Sequence, residues 1–127
     1  MRILLREAGW EATRALVEAA DFISTSRITY VEAHASIAAA GRARRLTRSG
    51  TTRVRNAVEE AWRQLAVVEV TGSIASSAAS ASERHRLRAL DAIHLASARV
   101  LSPGIVVASW DEHIRRAAQE AGLAVAP

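Results

Sequence analysis

The stretch from Ile105 to Val125 leaves the chain few folds to choose from. Ile105-Val106-Val107-Ala108 is a continuous apolar run of strand length. Residues 111–121 then place Ile114, Ala117, Ala118 and Ala121 at helical spacing, Gly122 is suited to cap that helix, and Leu123-Ala124-Val125 is apolar again. A strand without polar alternation is covered on both faces, and two such strands joined by a helix run parallel. The C-terminal part of the chain is therefore a compact βαβ unit.

The rest of the sequence extends that pattern. Residues 2–20 read as helix broken near Gly9, with Ala12, Leu16, Ala19 and Ala20 at helical spacing. Phe22-Ile23-Ser24 is a short strand, and Ser24-Thr25-Ser26 are residue types that cap a following helix. That helix, residues 28–44, puts Ile28, Val31, Ala35, Ala38 and Ala39 on one face. Beyond Ser49-Gly50, a second long helix carries Val54, Val58, Trp62 and Leu65. Val67 to Val70 is a β-branched strand, and the Ser/Ala-rich stretch 73–82 is a weak helix or a mobile loop. Residues 90–101 are apolar nearly all round, as in a helix enclosed by its neighbours, and Pro103-Gly104 ends it. Strands alternating with helices predict an α/β domain with a parallel sheet covered on both faces, in which ligands collect beyond the carboxyl ends of the strands.

Composition narrows the class. With 127 residues, half of them apolar, the chain can bury one core but not two, so one domain is expected. The apolar run Ile3-Leu4-Leu5 stops at Arg6, far short of the ~20 residues of a membrane span, so no membrane association is expected. Cysteine is absent, which removes disulfides and thiolate sites and fits the cytoplasm. Any metal must be held by oxygen or imidazole. Seventeen basic residues, all arginine, against thirteen acidic ones give +4, a balance that favours polyanionic partners.

Asp111 follows Ala108 by three residues, which puts it at the carboxyl end of a strand. Glu32 lies on the same side, in the helix after the Phe22 strand. Asp91 opens an apolar helix in which an unpartnered carboxylate is costly, so it needs a partner. Magnesium and manganese take oxygen ligands, and phosphodiester hydrolysis commonly uses such ions held by clustered carboxylates. Each acid also has a structural explanation. Glu32 stands at capping-box spacing from Thr29, and Asp91 and Asp111 sit where a helix dipole favours a carboxylate by roughly 0.3–1 kcal/mol. His94 and His34 are one turn and two residues beyond these acids. His94 reads as a core residue, and His34 points about 200° away from Glu32. Trp10, Trp62 and Trp110 are too scattered to stack bases and read as core or interface residues.

Six arginines, Arg42, Arg44, Arg45, Arg48, Arg53 and Arg55, fall within fourteen residues that contain no acid, and Arg84, Arg86 and Arg88 precede Asp91. The first group is a solvated turn, a phosphate-tracking surface or a dock for an acidic protein; sequence does not separate these. No Ser/His/Asp nucleophile pattern, glycine-rich phosphate loop or HExxH motif is present.

Three segments in order resemble a known family: Ser24-Thr25-Ser26-Arg27-Ile28-Thr29-Tyr30-Val31-Glu32, then Leu87-Arg88-Ala89-Leu90-Asp91-Ala92-Ile93-His94-Leu95-Ala96, then Ala108-Ser109-Trp110-Asp111 followed by residues 115–123. They look like the motifs of PIN domains, specifically of VapC-type toxins, with the second segment the most specific. The resemblance implies a PIN-like three-layer α/β fold, a short parallel sheet flanked by helices. It also implies an endoribonuclease dependent on Mg²⁺ or Mn²⁺, dimeric, acting on RNA and inhibited by a cognate antitoxin. Carried over by position, Glu32, Asp91 and Asp111 are the metal-site acids, Ser109 is the small hydroxyl residue before the last acid, and the arginines of the 42–55 group position RNA. Family members begin with a short strand ending in Asp, whereas Met1-Arg2-Ile3-Leu4-Leu5 starts inside the helix that follows. The resemblance therefore implies that the central N-terminal strand and the first metal-site Asp are missing, and Glu7 does not stand in for that Asp. Two readings follow: a start assigned too far downstream, or a truncated, inactive descendant that binds antitoxin or RNA without cleaving. An unrelated α/β regulatory domain would leave the three ordered motifs unexplained.

Overall fold

The structure, a computed structural model, describes residues 8–126. The expected loss of the central strand at the N-terminus lies outside them, as does the helix start at Met1 to Leu5. In chain order the elements are α1 (Trp10–Ala19), β1 (Ser24–Ser26), α2 (Ile28–Arg42), α3 (Arg48–Trp62), β2 (Ala66–Val68), α4 (Gly72–His85), α5 (Ala89–Val100), β3 (Val106–Ala108), α6 (Glu112–Glu120) and β4 (Ala124–Ala126). The mixed α/β character expected from the alternating pattern is present. Among the described residues no helix is long and apolar enough to cross a membrane.

Among the described residues the strands form two two-stranded sheets, β1 with β2 and β3 with β4, where the sequence predicts one. Apolar runs locate strands but carry no information about which edges pair, so the number of sheets was not legible in them. The C-terminal βαβ unit is parallel as expected, with Val106 opposite Ala124, Val107 opposite Val125 and Ala108 opposite Ala126. Its sheet is not covered on both faces, however: Val107 is half-buried while Val106 and Ala108 are exposed. Around β1 and β2, Ala66 N donates to Ile23 O and Arg27 N to Val68 O, an advance in both strands together that marks this pair as parallel too.

The chain divides into two compact units. One holds the described residues through Ser24 with Ile28–Ala66, and the other holds Thr25–Arg27 and the chain from Val67 onward. In the first unit α2 packs on α3 through Ala33, Ile37 and Val58, with Val54 beside them. The inward stripe of α2 is thus Ala33, Ile37 and Ala40, not the face through Val31 and Ala35; Val31 is 67% exposed. Alanines at nearly every turn give α2 apolar residues on several faces, so spacing alone did not choose between them. The inward set Val54, Val58 and Trp62 of α3 is as expected, each buried or half-buried, but the helix ends at Trp62, and Leu65, expected on the same helix, lies half-buried in the turn before β2. Tyr30 meets the edge of the Trp62 ring at 5.1 Å, and its hydroxyl donates to Glu59 Oε1 at 2.7 Å. That bond, aided by burial and the carboxylate's charge, holds the Tyr30 phenol above its ordinary pKa. The link is therefore intact below the usual phenol range and is lost as pH rises through the raised value.

The arginine-rich turn between α2 and α3 is a Schellman cap. Arg45 N donates to Ala40 O at 2.9 Å and Arg44 N to Gly41 O at 3.0 Å, with Arg44 in the left-handed region at φ 55°. The end of α6 is built the same way: Leu123 N bonds Ala118 O, Gly122 N bonds Gln119 O, and φ is 79° at Gly122. Gly122 occupies this conformation without a steric penalty, whereas Arg44 bears one of roughly 1–2 kcal/mol. Replacing Arg44 by Gly is therefore expected to raise unfolding stability by about 1 kcal/mol, read as an increased urea midpoint at unchanged m-value.

In the second unit the core consists of Ile74, Ala78 and Ala81 of α4, Leu87, Ala92, Leu95 and Ala96 around α5, and Ala117, Ala118 and Leu123 at the end of α6. The Ser/Ala-rich stretch is helix: Thr71 caps it, its side chain accepting from Ile74 N at 3.3 Å, and Ile74, Ala78 and Ala81 face inward at helical spacing. Helix α5 is less enclosed than its composition implies, since Leu90 and Val100 at its ends are 47% and 63% exposed.

Candidate active-site acids

Each predicted acid is set by a local device. Asp111 is the N-cap of α6, and its Oδ1 accepts from His113 N at 2.8 Å and Ile114 N at 3.3 Å. Ser109 tightens the turn out of β3: its Oγ accepts from Asp111 N at 3.1 Å while its own N–H donates to Ala126 O at 3.2 Å, beside the end of β4. The sequence places Asp111 beyond the carboxyl end of a strand, and the structure puts it there. Both backbone bonds use Oδ1, so among the described residues Asp111 Oδ2 has no partner and the carboxylate is oriented but half-employed.

Asp91 stands in the first turn of α5, half-buried, just ahead of the inward-facing Ala92, Leu95 and Ala96. Among the described residues it has no hydrogen bond or ion pair. The partner that its surroundings call for is thus not a side chain described in this structure. Glu32 belongs to the first unit and lies half-buried in the second turn of α2. Thr29 is already the second residue of that helix, so it does not hold the non-helical N-cap position that a capping box with Glu32 requires. Among the described residues no group of three or more His, Asp or Glu side chains is gathered as a metal site.

Other expectations resolve individually. Ser24-Thr25-Ser26 do not cap α2; they are β1 itself, displaced two residues from the Phe22 run, which leaves Phe22 62% exposed. Their hydroxyls are used across the fold: Ser24 Oγ donates to Ala66 O at 2.7 Å, and Ser97 Oγ of α5 donates to Ser26 Oγ at 3.0 Å, both serines buried. Sequence reasoning missed this Ser26–Ser97 pair, although a serine between Ala96 and Ala98 in an apolar helix was a usable sign. Beside it Arg27 grips Glu69 through Nε, at 3.1 Å and 3.0 Å from the two oxygens, and through Nη2. The Arg27 hydrogen bonds, helped by its charge and opposed by burial, hold the Glu69 carboxyl below the usual range.

His34 is half-buried with Nε2 3.1 Å from Glu59 Oε1, though not aligned for a hydrogen bond. Trp110, next to Asp111, is 41% exposed, and His94 is half-buried in α5. Arg42, Arg44, Arg45, Arg48, Arg53 and Arg55 are all exposed, and among the described residues none has an ion pair or side-chain hydrogen bond. Their charge is open to solvent and to any polyanion.

The α/β frame thus fixes one carboxylate, Asp111, at a strand's end and leaves another, Asp91, at a helix start without a hydrogen bond or ion pair among the described residues. Residues 1–120 match the PIN domain family, and the chain belongs to that family. It is 37% identical over 128 aligned residues to Ribonuclease VapC45, and equally to Ribonuclease VapC49, both of Mycobacterium tuberculosis. Each match covers 100% of this chain and 89% of the relative. No solved structure matches the chain at a significant level.

Proposed function

We propose that this chain is a VapC-type endoribonuclease that hydrolyses RNA phosphodiester bonds at a divalent ion, Mg²⁺ or Mn²⁺, held by Glu32, Asp91 and Asp111. The likeness to two proteins named as ribonucleases supports the reaction class. The observation that carries the chemistry is Asp91, a half-buried carboxylate with no hydrogen bond or ion pair among the described residues. Such a group is expensive unless a cation or a proton compensates it. The donor set fits an oxygen-seeking divalent cation: all three residues are carboxylates, and Asp111 offers Oδ2 while the backbone fixes Oδ1.

When bound, such an ion supplies water activation and charge neutralisation at the phosphate. The protein's own residues supply the rest. Ser109 holds the turn that aims Asp111, Ser97 and Ser26 anchor the helix that carries Asp91, and the exposed arginines of α2, α3 and their connecting turn attract and position the RNA. The same reading takes residues 1–127 as one PIN-like domain with three layers, working in the cytoplasm as a homodimer that a cognate antitoxin inhibits.

The test is RNA cleavage by this chain with and without metal. Cleavage is expected with Mg²⁺ or Mn²⁺, lost in EDTA and restored by excess metal. Cleavage that survives EDTA, or RNA binding without turnover at saturating Mn²⁺, overturns the proposal; the second result would mark a non-catalytic member that binds only.

A further inference from the structure

The second unit holds a cavity of about 260 Å³ that the proposed cleavage does not use, lined by Ser77, Ser80, Ala81, Arg84 and His85 of α4 and Arg99 of α5. The α4 residues recur at three- and four-residue spacing along one face of the helix. No acid is among the lining residues. Among the described residues neither the Arg84 nor the Arg99 guanidinium has an ion pair or hydrogen bond, and the Ser77 hydroxyl also has no partner. His85 is fixed in place: its side chain is 10% exposed and its Nδ1 lies 2.8 Å from Glu120 Oε2 of α6. The helix dipole accounts for each arginine separately, since both stand in the last turn of a helix. It does not account for two uncompensated guanidinium groups lining one small cavity, where like charges repel unless an anion lies between them. Guanidinium groups bind phosphate through paired N–H donors, and a serine hydroxyl adds a further donor. The volume falls just below the roughly 300–1,000 Å³ of ordinary ligand pockets, so the cavity suits a single anionic group better than a whole nucleotide.

We propose that this cavity is a phosphate subsite that holds one backbone phosphodiester of the RNA away from the bond being cut. The assignment to RNA rests on the ribonuclease reading above; the phosphate chemistry does not. Arg84 and Arg99 are exposed, so substituting them is expected to leave the fold intact, with circular dichroism of each variant as the check.

The test has two arms, using the full chain, the double variant Arg84→Gln/Arg99→Gln and the charge-keeping Arg84→Lys/Arg99→Lys. In the first, inorganic phosphate is added and the His85 ring signal is followed by NMR, with chloride at equal ionic strength as control. Phosphate is expected to shift that signal in the native chain and the lysine variant but not in the glutamine variant. No phosphate-specific shift in the native chain overturns the subsite, whatever the protein does with RNA. In the second arm, binding of single-stranded RNA in EDTA is followed by fluorescence anisotropy across salt concentrations. The glutamine variant is expected to flatten the slope of log K against log salt by about 0.7, the value for one phosphate contact on a single strand, and the lysine variant to keep it. A phosphate shift with an unchanged RNA slope overturns the RNA half and assigns the cavity to free phosphate. An intact subsite whose native chain binds no RNA overturns that half together with the ribonuclease reading. RNA binding and cleavage without the phosphate shift overturn the subsite alone.

Discussion

Asp91→Asn is expected to lower metal-dependent RNA cleavage by more than about 100-fold while leaving the protein folded. The magnitude is bounded from below. Losing an outer-shell partner of a metal ligand typically costs about 10–100-fold in metal affinity or activity, and a direct ligand matters more. Asparagine keeps the shape and one oxygen of Asp91 but removes the charge that a divalent ion requires of its ligands. The fold has little reason to fail. The carboxylate makes no hydrogen bond or ion pair among the described residues, so none of these is broken. Removing a charge from the first turn of α5 forfeits about 0.3–1 kcal/mol of dipole attraction, which relief from half-burial offsets. The measurement is the initial rate of cleavage at saturating Mg²⁺ and Mn²⁺, with a urea titration alongside. A variant that cuts RNA within threefold of the parent rate removes Asp91 from the mechanism. A variant with unchanged stability and no cleavage separates its chemical role from a structural one.

What the sequence disclosed, and what it withheld, follows from which forces leave a local trace. Asp111 was legible because a strand, a short turn and a helix start are local events, and its N-cap bonds and the Ser109 turn fall within six residues. The resemblance to PIN domains, carried by three ordered segments, is borne out by the family match over residues 1–120. The position of β1 was misread because serine and threonine serve equally as helix caps and as strand residues. What decided between these roles was long-range pairing with Ala66 and Ser97, which no local pattern reports. The inward face of α2 was misread because alanine occupies so many positions that the packing partner, Val58 of α3, chose the stripe. The 260 Å³ cavity was invisible for the same reason: Arg84 and Arg99 are fifteen positions apart and meet only because α4 and α5 pack together.

That packing can be tested directly by Leu95→Ala, which is expected to cost 3–5 kcal/mol, the upper part of the range of about 2–5 for such truncations. Leu95 is 1% exposed and lies one turn beyond Asp91, in contact with a core whose other buried members are mostly alanines. The cost of a cavity depends on how far its lining can collapse into it, and an alanine has no side-chain rotamer with which to move. Only Ile74, Leu87 and Leu123 among the buried neighbours are larger, so most of the void should persist. A loss of this size is a large share of the 5–15 kcal/mol typical of a folded domain. It should appear as a lower urea midpoint at similar m-value, with cleavage at low temperature falling less than in Asp91→Asn, since Leu95 shapes the helix and does not touch the reaction. Val100→Ala is the control on the same helix: at 63% exposed, its substitution should stay within about 0.5 kcal/mol. If Leu95→Ala costs less than 1 kcal/mol, the alanine-rich interface between α4 and α5 is softer than its burial implies, and the fixed placement of Asp91 and of the arginine-lined cavity would lose its physical basis.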